Sequence, residues 1–128
     1  MARVFVYGTL TDPDRVASVL DRYDLGATAT LRGLHRVEGR YPTLAPGGET
    51  TGRLLETPEI GRLDAYEGVE SGLYVRVTVP LSTGGSAECY VGDPESLGAD
   101  AAWPGTGPFE KRVRSYLEEE AVTIGRNE

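Results

Sequence analysis

The sequence predicts an α+β fold on a mixed sheet. Three observations carry that expectation. The opening segment, Val4 to Tyr7, alternates valine with aromatics so that both faces are apolar, the mark of a central strand covered on each side. Strand-like segments from the beginning and the end of the chain, interrupted by two or three helical segments, give the α+β arrangement on a mixed sheet.

Taken in order, the first strand stops at Tyr7-Gly8-Thr9-Leu10. In "DPDRVASVLDRYDLG", Asp12 suits a helix cap and Pro13 the first helical position. Val16, Val19, Leu20 and Tyr23 fall at helical spacing before Gly26. Residues 27–37 read as a strand with Gly33 as a bulge or kink, and residues 51–56, "TGRLLE", as another. The Gly/Pro-rich "EGRYPTLAPGGET" between them reads as a loop. Thr57, Pro58 and Gly68 frame a helix of about three turns. "LYVRVTVPL" alternates, with Val75, Val77 and Val79 opposite Tyr74, Arg76 and Thr78. "STGGS" then offers a hairpin turn into the strand "AECYV". Residues 92–108, with Trp103, read as a long ordered loop anchored by that tryptophan. Phe109, Val113, Tyr116 and Leu117 line one face of a last helix, and residues 121–128 read as a frayed tail.

The chain of 128 residues suits one domain with one core, 1–128, burying about 65–70% of the unfolded chain's surface. No apolar run approaches the roughly 20 residues of a spanning helix, and no signal-peptide pattern is present, so a cytoplasmic protein without a membrane partner is expected. A net charge of −7 repels nucleic-acid phosphates. With one cysteine, Cys89, and one histidine, His35, neither an internal disulfide nor a His/Cys zinc site can form, and any catalysis is expected to need no metal and no cofactor.

Two segments carry candidate chemistry. Ile60, Leu63, Asp64 and Glu67 sit at i, i+3, i+4 and i+7, so Glu67 points where the apolar residues point. A carboxylate there is paired, protonated or at work, and burial raises its pKa toward that of a general base. The plainer reading has Glu67 reaching solvent or pairing with an arginine such as Arg76. The strand end at Tyr7, Gly8, Thr9 and Leu10 can expose successive backbone N–H groups to an anion. One glycine and no lysine suit a carboxylate or oxyanion better than a triphosphate; the plainer reading is an ordinary turn.

Taken together, "VFVYGTL", "YPTL", "TGRLLE", "LDAYEG" and "LYVRV" resemble the gamma-glutamylcyclotransferase-like family, over roughly residues 3 to 91. The similarity is greatest to its small members, gamma-glutamylamine cyclotransferase and the plant avirulence-induced-gene-like proteins. The resemblance implies a small mixed β-barrel of five to six strands with flanking helices and a cavity at the mouth. It implies that Tyr7, Gly8, Thr9 and Leu10 bind the glutamyl part of a γ-glutamyl substrate and that Glu67 is the catalytic acid/base. Tyr41 then rims the pocket. Tyr74 and Arg76, on the polar face of their strand just after Glu67, either orient that carboxylate, contact the substrate's α-carboxylate, or form an ordinary outer face. The implied reaction releases 5-oxoproline from a γ-glutamyl amine or related compound. Two alternatives stay open: a small-carboxylate-binding module of the same fold without turnover, and a biosynthetic enzyme that removes a γ-glutamyl protecting group.

Overall fold

A computed structural model of the chain describes residues 1–126. Its frame is one six-stranded sheet, ordered β4-β5-β1-β3-β2-β6, with β1 (Ala2–Val6), β2 (Asp24–Val37), β3 (Thr43–Thr57), β4 (Tyr74–Pro80), β5 (Ser86–Gly92) and β6 (Thr123–Arg126). The β1–β5 pair is parallel and the other pairs antiparallel. The sheet curls into a half-barrel. Its two ends meet where Leu81, just past β4, bridges Ile124 of β6, and the Ser82 amide donates to the Ile124 carbonyl at 2.9 Å. Four helices complete it, α1 (Pro13–Val19), α2 (Ile60–Tyr66), α3 (Pro94–Leu97) and α4 (Phe109–Glu119). None is long and apolar enough to cross a membrane.

The double-sided first strand behaves as its pattern requires. Phe5 joins the barrel interior with Leu31, Leu54, Val77, Val79 and Ile124, while Val4 and Val6 face Val16, Leu20 and Leu63 beneath the helices. At about 25 cal/mol per Å² of buried apolar surface, such two-sided burial is the main term fixing β1 at the centre. Trp103 is buried and packs edge-on against Phe109 and Tyr116, so it anchors its loop as expected.

Several boundaries differ from the sequence reading. The helix after Asp12 is capped as predicted, Asp12 Oδ1 accepting from the Asp14 amide at 3.1 Å. It ends at Val19, short of Gly26, because Glu59 Oε1 captures the amides of Asp21 and Arg22 at 2.8 Å and turns the chain into β2. The segment read as a loop is mostly strand: β3 begins at Thr43 and pairs with β2 throughout. Its Pro46-Gly47-Gly48 forms a bulge opposite Gly33, where the register shifts and all three glycines take positive φ. Residues 92–108 contain α3, capped by Asp93. The expected frayed tail is corrected as well: residues 123–126 pair with Ala29–Arg32 of β2, since Val122 and Ile124 bury their side chains in the barrel. Residues 127–128 lie outside the described residues.

Candidate active site

The helix expected with Thr57 as its cap and Pro58 at its first position starts two residues later, because Thr57 still belongs to β3 and its hydroxyl donates to the Arg22 carbonyl at 2.6 Å. Its C-terminal end forms a Schellman cap. The Gly68 amide donates to Ala65 O and the Val69 amide to Asp64 O, with Gly68 at φ 68°. Val69 packs in the same cluster as Leu63, the apolar contact that usually accompanies this cap. Glu67 is the last residue before the left-handed glycine, so the Glu-Gly pair sets both the helix end and the direction of the carboxyl.

Glu67 is half-buried and borders a cavity of about 380 Å³, within the range of small-molecule sites. Burial holds its carboxyl up at about 7, because loss of solvent penalises the charged form. Among the described residues it has no hydrogen-bond or ion-pair partner. The arginine proposed for it is engaged elsewhere. Arg76 lies outside the cavity lining and pairs with Asp64 at 3.4 Å and Glu88 at 3.7 Å.

Tyr7, Gly8, Thr9 and Leu10 all border the same cavity, so the structure brings together the two segments singled out in the sequence. Past β1 the chain makes one 3₁₀ turn, Thr9–Thr11. The Gly8 carbonyl accepts from the Thr11 amide at 3.1 Å and from Thr11 Oγ1 at 2.7 Å. The Tyr7 carbonyl accepts from Arg36 Nη1 at 3.0 Å. Among the described residues, the amides of Gly8, Thr9 and Leu10 have no acceptor. A Cβ on Gly8 would meet only Pro42, at 3.5 Å. Neighbouring packing therefore leaves room for it, and the residue it would approach, Pro42, is itself part of the cavity lining.

Buried tyrosines build the inner wall. The Tyr7 hydroxyl donates to the Tyr90 carbonyl, the Tyr90 hydroxyl to Asp64 at 2.7 Å, and the Tyr74 hydroxyl to the Pro42 carbonyl at 2.6 Å. Burial, with the nearby Glu67 charge adding to it, pushes all three phenols up, so they stay protonated as donors. Tyr74 was placed on the polar face of its strand, yet it is buried and fastens the Tyr41-Pro42 turn to β4. Tyr41 is 51% exposed, at the rim. Sequence reasoning missed Tyr66, Tyr90, Leu73 and Arg15 in the lining. Tyr66 had a signal in its place beside Glu67. Arg15 comes from α1, directly after the loop, and Leu73 from the residue before β4, whereas Tyr90 is brought in by the pairing of β5 with β1 and β4, which no local pattern encodes.

The curled mixed sheet with flanking helices and a cavity between the first strand's end and a capped acidic helix end defines a gamma-glutamyl cyclotransferase-like fold. Residues 4–105 match the family described as "Gamma-glutamyl cyclotransferase, AIG2-like", and the chain belongs to it. Among curated proteins it is 43% identical to AIG2-like protein A of Arabidopsis thaliana over 86 residues, covering 61% of this chain and 50% of that protein. To AIG2-like protein C of the same plant it is 38% identical over 86 residues, covering 61% and 48%. The chain spans about half the length of the curated relatives it matches. Among solved structures, a gamma-glutamyl cyclotransferase shares the fold at TM-score 0.60 and 20% identity, over 92% of this chain and 79% of that one. A solution structure of an Arabidopsis thaliana protein aligns at TM-score 0.57 and 31% identity, over 93% and 85%.

Proposed function

We propose that the protein is a gamma-glutamyl cyclotransferase acting on γ-glutamyl amines or related γ-glutamyl compounds. The observation that carries this reading is an unpaired, half-buried Glu67 carboxyl, held near neutral pKa by burial, sharing one cavity with a loop of unengaged backbone donors.

In such a substrate the α-nitrogen attacks the γ-carbonyl carbon of the same molecule. The carbonyl π electrons move onto oxygen, and the resulting tetrahedral centre collapses with loss of the amine, leaving the five-membered ring of 5-oxoproline. Glu67 takes the proton released from the α-ammonium and returns it to the departing nitrogen, one carboxyl serving as base and then acid. A pKa near the working pH suits both halves of that task. The amides of Gly8 to Leu10 are the donors for the anionic oxygens. The tyrosine wall holds the glutamyl chain folded, and such positioning contributes up to about 7–11 kcal/mol in favourable cases.

The test is incubation with a panel of γ-glutamyl amines, following 5-oxoproline, with Glu67→Gln as control. Product above the control supports the reading, and none above it overturns the reading. Thermal stabilisation by glutamate-like carboxylates without product would leave a binding protein.

A further inference from the structure

We propose that Arg36, which lies outside the cavity, is a positioning residue that aims the Gly8 amide into it. A trans peptide is planar, with C=O and N–H pointing in opposite directions, and the described chain contains no cis peptide bond. Whatever holds the carbonyl of one residue therefore sets the direction of the next residue's amide. Arg36 Nη1 holds the Tyr7 carbonyl at 3.0 Å, and no other donor among the described residues reaches that oxygen. Thr11 holds the Gly8 carbonyl twice, through its amide and its hydroxyl. Neither Arg36 nor Thr11 borders the cavity, whereas Gly8 and Thr9 do. The two carbonyls are thus drawn away from the cavity, and the Gly8 and Thr9 amides face the side on which it opens.

The two peptide planes are unequally supported. The Gly8–Thr9 plane keeps a backbone donor whatever side chain stands at position 11. The Tyr7–Gly8 plane depends on one guanidinium, itself held by Glu38 at 3.0 Å. Arg36 extends from β2, where it is paired with Leu44 of β3, so the long hairpin carries the brace that orients a loop remote from it in sequence. A charged donor on a carbonyl makes a stronger bond than a neutral one, which suits a brace that is partly exposed.

This inference rests on the reading above only in taking the cavity's guest to be anionic. Its test uses L-glutamate as probe and backbone ¹H–¹⁵N spectra of the full chain. In the parent protein, the Gly8 and Thr9 amide protons move downfield as glutamate is added. In Arg36→Met the Gly8 response is lost, the Thr9 response remains, and affinity falls about ten-fold, as for loss of one preorganised donor. Arg36→Lys, which retains a cationic donor, restores the Gly8 response in part. Thr11→Val keeps both responses, because its amide still holds the Gly8 carbonyl. Parallel loss of both responses in Arg36→Met, or an unchanged Gly8 response, overturns the proposal. The crossed pattern without any 5-oxoproline formation would remove the cyclisation alone, and turnover without the pattern would remove the Arg36 brace alone.

Discussion

The hydroxyls of Thr9 and Tyr66 lie 3.0 Å apart and share a hydrogen bond. It ties the loop after β1 to the end of α2, one residue before Glu67. Distant in sequence, the two halves of the cavity are thereby held in register. Because the bond is exposed, Tyr66→Phe should cost at most about 1 kcal/mol in stability. It should lower kcat/KM several-fold, since small displacements of the acid/base are costly. Chemical denaturation beside 5-oxoproline kinetics checks both.

Glu67 should impose opposite pH trends on activity and stability. With its carboxyl at about 7, kcat/KM should rise with pH through about 7 as the base form accumulates. Between its ordinary value of 4.5 and about 7, the folded chain holds a proton that the unfolded chain has released. Stability from this residue therefore falls as pH rises across that window. Glu67→Gln should be more stable than the parent at pH 8, by up to about 3 kcal/mol, and equal to it at pH 4. Urea unfolding at the two pH values tests the sign.

Two glycines should separate function from folding. Gly8→Ala meets only Pro42 at 3.5 Å, so its melting temperature should stay close to the parent's while glutamate binding drops steeply. Gly52→Ala would put a Cβ 2.2 Å from the Val6 carbonyl and 2.7 Å from the Phe5 ring. That variant should fail to fold, which expression and circular dichroism would register.

Asp64 supports the wall through the Tyr90 hydroxyl and the Arg76 ion pair. Asp64→Ala should destabilise by about 1–3 kcal/mol, because a buried donor loses its acceptor. The pH midpoint of activity, which the proposed reaction assigns to Glu67, should not move.

Ile124 is fully buried. Ile124→Ala should therefore cost about 2–5 kcal/mol, measured by urea unfolding, whereas a frayed tail would tolerate it without loss.

Much of this arrangement was legible because its causes are local. Val4 to Tyr7 required burial on both faces, Asp12-Pro13 wrote a helix start, and the spacing of Leu63 and Glu67 turned the acid inward before Gly68 closed the helix. What stayed hidden has non-local causes. Thr43–Thr50 carries loop residues, and it is strand because β2 pairs with it and a bulge absorbs its glycines. Residues 123–126 have little strand character alone, and they order by adding to β2 and filling the barrel. Tyr74 was assigned to a polar face by alternation, but its hydroxyl finds the Pro42 carbonyl, so a large ring could be buried without an orphaned donor. Arg36 and Tyr66 matter through partners that no spacing rule connects to them.

The meeting of Leu81 with Ile124 has a consequence for how the molecule is made. Synthesis is vectorial, so the long β2–β3 hairpin and the strand beside it can pair while the remaining chain is still emerging. The seam, however, needs residues 123–126. A nascent chain stalled before them holds the cavity's parts in an unsealed sheet with β2 bare along one edge, a ready template for a neighbouring strand. The interval before residues 123–126 emerge is therefore when this fold is most exposed to mispairing, and the last described strand ends that exposure.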